Sequence, residues 1–120
     1  MAIIVEKQRR QGKYKVRHDA EGKERRTIDG ITFDSEKEAG RYFELKLLKA
    51  AGGISQLTCQ VRFQLRVNDE LICSYVADFV YIDLISGQRV VEDVKGKRTR
   101  EYIIKKRLMK ACHNIEVQEV

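Results

Sequence analysis

Residues 76–82 read Val76-Ala77-Asp78-Phe79-Val80-Tyr81-Ile82, a nearly continuous apolar run that contains one carboxylate. Such a run is typical of a central strand buried on both faces, and it predicts a strand from Leu71 to Leu84. A carboxylate is costly to bury there unless it is paired or binds a cation. Asp78 is therefore the first candidate functional residue. The alternative is a side chain at the open end of the strand, solvated or paired with Lys or Arg.

Strands are also predicted on both sides of this run. Within residues 54–67, apolar and polar side chains alternate strictly from Leu57 to Val67, which indicates a half-buried strand, and residues 68–70 make the turn that follows. Residues 89–95 form a third strand, which ends at Gly96. Three strands in sequence place Asp78 on the middle one.

Two amphipathic helices are predicted to flank these strands. Ser35 and Glu38 form a capping box at the start of the first helix, which runs to about Ala51. Thr99 caps the second helix, over residues 100–112. Helical spacing assigns an inward face to each helix, with Ala39, Tyr42, Phe43, Leu47 and Ala50 on the first and Ile104, Leu108, Ala111 and Cys112 on the second.

The two ends of the chain complete the predicted organisation. Residues 1–26 are polar and basic and show no hydrophobic period, so we expect a flexible basic N-terminal arm. Residues 27–120 form the folded domain. It opens with a short hairpin at residues 27–33, whose Asp29-Gly30 pair signals a two-residue turn, and it closes with a strand at residues 115–120. The predicted fold class is α/β, with the order αβββαβ and a mixed central sheet flanked by helices.

The net charge of +6 is unevenly distributed. Residues 1–26 carry nine Lys/Arg against four Asp/Glu, and residues 89–110 carry nine against three. Residues 27–88 carry six against nine. Two basic segments of this kind suit a nucleic-acid backbone, through direct pairing and counterion release. Solvated charged surfaces are the alternative.

Cysteine usage and hydropathy narrow the class of protein. The chain contains three cysteines and two histidines, Cys59, Cys73, Cys112, His18 and His113. They form no CxxC pair, so we expect reduced thiols and no zinc site. No apolar run approaches the roughly 20 residues of a membrane helix, and the N-terminus does not resemble a signal peptide. We expect a cytoplasmic protein with no membrane partner and no organic cofactor.

A second chemical signal is the segment Asp93-Val94-Lys95. Residues two apart on a strand point to the same face, so Asp93 and Lys95 project side by side. If this strand neighbours the one that carries Asp78, the two carboxylates can converge on one cation, and Mg²⁺ prefers such hard oxygen ligands. The metal would activate the attacking water, and Lys95 would orient or deprotonate that water or stabilise the transition state. For a bare Asp-x-Lys tripeptide, an exposed ion pair at a strand edge is the more common interpretation, and the position of this one after Asp78 is what favours a site.

One aspartate in a strand, followed by Asp-x-Lys in the next strand, resembles the PD-(D/E)xK nuclease superfamily. The predicted element order is similar to the restriction-endonuclease-like core of that superfamily. Residues 33–39, Tyr75-Val76-Ala77-Asp78-Phe79 and Val91-Glu92-Asp93-Val94-Lys95-Gly96 resemble a group of small phage proteins of this type. The resemblance covers roughly residues 27–120. Val76-Ala77-Asp78 lacks the proline of the superfamily's name, as many members do.

The resemblance implies a magnesium-dependent nuclease in which Mn²⁺ substitutes, with Asp78 and Asp93 as metal ligands and Lys95 as the catalytic lysine. Glu38 matches the first-helix glutamate that many members add to the catalytic metal site. The capping box explains Glu38 equally well, so both interpretations stay open. Gln60, on the polar face of its strand, is interpreted as structural. So is Glu92, on the opposite strand face from Asp93.

Basic residues near the second helix and in the arm are the predicted DNA contacts. Helix N-termini and basic loops bind phosphate well. The predicted DNA-binding residues are Lys97, Arg98, Arg100, Lys105, Lys106, Lys13, Tyr14 and Lys15. Lys105 lies near the inward face, from which it would reach the site, the alternative being a solvated lysine.

Small phage members of the superfamily include Holliday junction resolvases. We therefore expect a phage-encoded endonuclease, acting in the bacterial cytoplasm on branched DNA in recombination or repair. We expect a homodimer, because two symmetric cuts need two sites. In a domain this small, recognition of DNA shape is favoured over a base code. The alternatives are a repair, end-processing or restriction-type nuclease, and a catalytically inactive DNA-binding or assembly protein.

Overall fold

A mixed sheet and two long helices make up most of the structure, a computed structural model that describes residues 20–120. In chain order the elements are α1 (Ala20–Arg25), β1 (Thr27–Ile28), β2 (Ile31–Thr32), α2 (Glu36–Ala50), β3 (Ile54–Val67), β4 (Glu70–Asp83), β5 (Arg89–Asp93), α3 (Arg100–His113) and β6 (Gln118–Glu119). The larger sheet has the order β3-β4-β5-β6, and its pairs are antiparallel except β5 with β6. The prediction of an α/β fold with a mixed sheet and flanking helices is confirmed. None of the helices in this described range is long and apolar enough to span a membrane.

β1 and β2 form the predicted hairpin. Asp29 and Gly30 have positive φ angles of 54° and 78°, as both central residues of a type I′ turn require. The helix α1 and Arg26 precede this hairpin. Arg26 is 5% exposed, and its Nε donates to the Phe33 carbonyl over 2.8 Å. Residues 20–26, assigned to the arm from sequence, therefore belong to the folded part of the described chain.

Ser35 caps α2 as predicted, because its hydroxyl accepts from the Glu38 N–H over 3.1 Å. The buried face of the helix consists of Glu38, Ala39, Tyr42 and Leu45. The predicted inward residues Phe43 and Leu47 are 54% and 56% exposed, and Ala50 is exposed, so that part of the prediction is wrong. The buried residues follow the helical period, and a carboxylate occupies one position of the buried face.

Thr99 caps α3 by accepting from the Tyr102 N–H over 3.0 Å. The residues of α3 that are buried or partly buried against the sheet are Tyr102, Leu108, Met109 and Cys112. Ile104 is 52% exposed and Ala111 is exposed, so their predicted inward placement is wrong. Tyr102 instead supplies the packing surface in the first turn.

The helices α2 and α3 cover opposite faces of the sheet at β5. Val90 packs against the apolar cluster that contains Tyr42 of α2. Val91 belongs to the cluster that contains Tyr102 of α3. Because adjacent residues of a strand point to opposite faces, each successive residue of β5 faces a different helix.

The register between β3 and β4 shifts by one residue near their turn. Arg66 pairs with Leu71, but Leu65 pairs with Cys73. Ile72 is thus an extra residue in β4, which is the definition of a β-bulge. The bulge determines which residue of β3 lies opposite each residue of β4 from Leu65 as far as Thr58, beyond which the register shifts again.

A buried ion pair joins α2 to β5. Glu92 is 2% exposed, and its oxygens accept from Arg41 Nε at 2.9 Å and from Nη2 at 2.6 Å. The Tyr81 hydroxyl also donates to this carboxylate. The hydrogen bonds to Glu92 are the main reason why the pKa of Arg41 is raised. Glu92 therefore fixes β5 to the α2 side of the sheet.

Removal of the Arg41 guanidinium should destabilise the fold. In Arg41→Met, Glu92 would keep a buried charge without its bidentate partner. We expect the free energy of unfolding, measured by urea titration with circular dichroism, to fall by roughly 3 kcal/mol. Arg107→Met replaces an exposed arginine of α3 and should change that free energy by less than about 0.5 kcal/mol. Equal losses in the two variants would contradict the role assigned to Arg41.

Candidate active site

Asp78 lies next to the Asp-x-Lys segment. Its Oδ2 accepts a hydrogen bond from the Val94 N–H over 2.8 Å, and Val94 directly follows Asp93. Phe79 pairs with Glu92, and these two residues are the chain neighbours of Asp78 and Asp93. Asp78 and Asp93 are 1% and 0% exposed. Their strands are neighbours, as the convergence of the two carboxylates required.

Lys95 is held between a carboxylate and an aromatic ring. Its Nζ is 3.1 Å from Asp93 Oδ2, and its side chain is 12% exposed. The same nitrogen lies 3.6 Å from the centroid of the Tyr102 ring, which is a cation–π contact. The backbone carbonyl of Lys95 accepts from Lys37 Nζ over 2.9 Å. Lys95 is thus a positioned positive charge beside Asp93.

The amide of Gln60 bridges Glu38 and Asp78. Its Nε2 donates to Glu38 Oε2 at 3.1 Å and to Asp78 Oδ1 at 3.3 Å. Glu38 is 4% exposed and projects from the first turn of α2. The helix cap uses the backbone N–H of Glu38, while its carboxylate reaches Gln60. The two interpretations of Glu38, as a cap residue and as a site residue, are therefore compatible.

The three carboxylates do not form one metal-binding cluster. Within residues 20–120, no group of three or more His, Cys, Asp or Glu side chains is arranged to hold a metal ion. Gln60 stands between Glu38 and Asp78, so a cation bound in this arrangement would take its protein ligands from Asp78 and Asp93. One or two carboxylates suffice for Mg²⁺, which keeps several of its waters.

Two buried tyrosines border the site on the α3 side. Tyr75 is 4% exposed and Tyr102 is 8% exposed. Burial is the main cause that raises the pKa of both hydroxyls, and the charge of Asp93 raises each of them further. The Tyr102 hydroxyl donates to Glu119 Oε2 over 2.9 Å. Both hydroxyls therefore stay protonated at neutral pH, and their rings exclude water from the neighbourhood of Asp93.

The predicted DNA-binding residues occupy different environments. Those that lie exposed just before α3 or in its first turn are Lys97, Arg98 and Arg100. Lys105 pairs with Glu101 of its own helix at 3.2 Å, and Lys106 lies 3.8 Å from Glu119. Neither ion pair involves an aspartate of the site. Lys13, Tyr14 and Lys15 lie outside the described residues.

Sequence reasoning did not single out Tyr75 and Tyr102, and it interpreted Gln60 as structural. The two tyrosines have the pattern of ordinary core aromatic residues. Gln60 lies on the polar side of an alternating strand, where glutamine is common. For Tyr102 a signal was present, since it stands in the first turn of the helix that follows Asp-x-Lys.

The fold and these contacts define a class of protein: an α/β domain with two buried aspartates on adjacent strands and a lysine held beside them. The family model described as "Protein of unknown function (DUF1064)" matches residues 17–119. The chain belongs to that family. The match includes Glu38, Gln60, Asp78 and Asp93 together with Lys95. Comparisons with curated proteins and with solved structures gave no match.

The reactivity of the Cys59 thiol should depend on the negative charges of Glu38 and Asp78. Burial, followed by the charges of Glu38 and Asp78, raises the pKa of its thiol to about 11. In a Cys73→Ser/Cys112→Ser background, the rate of alkylation by iodoacetamide should therefore rise about tenfold per pH unit up to roughly pH 10, because the thiolate is the reacting species. Adding Asp78→Asn removes one negative charge and should shift this profile to lower pH. A plateau near neutral pH in the parent would contradict the assigned environment.

Proposed function

We propose that this protein is a magnesium-dependent endodeoxyribonuclease of the PD-(D/E)xK type. The observation that carries the proposal is the hydrogen bond from the Val94 N–H to Asp78. It joins the buried aspartate of β4 to the segment that carries Asp93 and Lys95. Two acids and a lysine thereby meet at the end of β5, and this is the set of groups that metal-assisted phosphodiester hydrolysis uses.

The donor set fits a hard divalent cation. Asp78 and Asp93 are both buried on adjacent strands, and a buried carboxylate is costly unless it is paired or binds a cation. A bound cation would offset that cost. The Oε1 atom of Gln60 is also buried and has no hydrogen-bond partner among the described residues. The carboxylate oxygens of Asp78 and Asp93 are hard ligands, which suit Mg²⁺ and Mn²⁺ better than they suit softer metals.

Each residue of the site has a defined task in this mechanism. A bound Mg²⁺ supplies a water of lowered pKa and neutralises charge on the scissile phosphate. Asp78 and Asp93 would hold it, with Asp78 oriented by the Val94 N–H. Lys95 has three N–H donors, so beyond its contact with Asp93 it can donate to the attacking water or to a phosphate oxygen. The Tyr102 ring limits the motion of that ammonium, which is a form of preorganisation.

The cations that follow the site support a phosphate-backbone substrate. Lys97, Arg98 and Arg100 are exposed and come directly after Lys95 in the chain. Phosphates bound there would lie beside the proposed reaction centre. We propose branched DNA as the substrate and a homodimer as the active form, because paired cuts across a junction need two sites.

Cleavage should depend on the metal and on both charged groups of Asp-x-Lys. On a labelled four-way junction with Mg²⁺ or Mn²⁺, we expect paired cuts that chelator abolishes. Asp93→Asn and Lys95→Met should each lower the rate by about 10²-fold or more, since each removes an electrostatic or acid–base contribution to the transition state. The measurement is single-turnover cleavage resolved on denaturing gels.

Asp69→Asn is the matched control for this experiment. Asp69 is an exposed residue of the β3–β4 turn with a φ of 69°, a conformation that Asn tolerates. This variant should cut at the parent rate. Cleavage of a linear duplex at the same rate as the junction would contradict the proposed junction specificity but support the proposed nuclease activity. Binding of DNA without cleavage under every metal condition would contradict the proposed enzymatic activity.

The salt dependence of DNA binding should identify the residues that bind the phosphate backbone. For duplex DNA, the slope of log K against log salt concentration becomes shallower by about 0.9 for each phosphate that the protein no longer neutralises. A variant with Lys97, Arg98 and Arg100 all changed to Gln should therefore show a slope smaller by roughly 3 in fluorescence anisotropy titrations. Replacement of the exposed Lys23, Lys49 and Arg107 by Gln serves as the control. An equal change of slope in both triple variants would contradict a localised phosphate surface.

A further inference from the structure

Gln60 has a backbone conformation that a strand residue rarely adopts. Its φ is +54°, although it lies in the middle of β3. Cys59 pairs with Phe79 and Val61 pairs with Ala77, so Gln60 lies between these pairs, opposite Asp78. Non-glycine residues held in the left-handed region are strained, and such strain is concentrated at functional sites.

The left-handed residue changes the face to which β3 directs its side chains. Residues two apart on a strand normally share a face. Here Cys59 belongs to the apolar cluster on the α2 side, whereas Val61 packs against the cluster on the α3 side. The partner strand shows the same change between Phe79 and Ala77. At the level of Gln60, therefore, the side chains of both strands change from one face of the sheet to the other. This change lets the Gln60 amide reach Glu38 and Asp78.

The amide holds two buried acids at once. Its Nε2 donates to Glu38 at 3.1 Å and to Asp78 Oδ1 at 3.3 Å, so a neutral group occupies the space between two carboxylates. The other oxygen of Asp78 accepts from the Val94 N–H at 2.8 Å. The Asp78 carboxylate is therefore held from two sides, which fixes the plane of the carboxylate.

We propose that Gln60 is a positioning residue that orients Asp78 for a divalent cation. The inference rests on the proposed function, since it concerns the same metal site. Groups that hydrogen-bond to a metal-binding side chain fix its orientation, and their loss typically weakens metal binding by about 10–100-fold. In this protein the amide performs that task, and the left-handed backbone brings the amide into reach.

Two substitutions separate the amide from the backbone strain. Gln60→Leu removes the amide and keeps a side chain in the left-handed conformation. Gln60→Gly removes the amide and also relieves the strain, because glycine adopts positive φ freely. We expect Gln60→Gly to unfold at a higher urea concentration than Gln60→Leu. We nevertheless expect both to bind Mn²⁺ about 10–100-fold more weakly than the parent, as measured by the EPR signal of free Mn²⁺.

Gln56→Leu is the matched control. Gln56 lies on the same strand, has a φ of +57° and is exposed. This variant should bind Mn²⁺ with the affinity of the parent. Parent-like binding by both Gln60 variants would overturn the inference, and so would recovery of parent affinity in Gln60→Gly alone, since backbone strain would then explain the loss. If the parent itself binds no Mn²⁺, the proposed function fails, and the inference fails with it.

Discussion

The burial of two aspartates on neighbouring strands is the constraint that the surrounding structure has to satisfy. Asp78 and Asp93 are almost inaccessible to solvent, so water cannot offset the free-energy cost of burying their charges. Donors from several elements take its place. β3 provides the Gln60 amide, the Val94 N–H lies just beyond β5, and Lys95 provides an ammonium 3.1 Å from Asp93. The sheet therefore places polar groups around two carboxylates whose burial in an apolar core alone would be unfavourable.

The two adjacent acids of β5, Glu92 and Asp93, face opposite sides of the sheet and have different kinds of basic partner. Glu92 faces α2 and is bound by the planar guanidinium of Arg41 through two hydrogen bonds. A bidentate arginine pair is rigid and always charged, as suits a structural anchor. Asp93 faces α3 and lies 3.1 Å from the ammonium of Lys95, which is a compact point charge on a flexible stem. The anchor on one face fixes the strand, and the strand fixes the position of the Asp-x-Lys segment on the other face.

The residues of the site were predictable from sequence to different degrees. Asp78 stands out because it interrupts an apolar strand, and strand periodicity alone places Asp93 beside Lys95. The position of Gln60 could not be predicted, because it depends on a bulge. Without the extra residue Ile72, the register at the turn would place Cys59 opposite Asp78 instead. The buried faces of the helices were also assigned incorrectly in part. Apolar Phe43 was assigned to the buried face of α2 but is 54% exposed, whereas polar Glu38 is 4% exposed.

Three departures from the rules that connect sequence to fold meet at one place in this protein. Glu38 occupies a position of the buried face of a helix, Gln60 adopts a left-handed conformation inside a strand, and Asp78 lies in an apolar run. Each departure is costly when taken alone. The three are joined by two hydrogen bonds of one amide. Violations of local rules that converge on one point are typical of a functional site. The proposed cation site beside Lys95 would account for the three departures together.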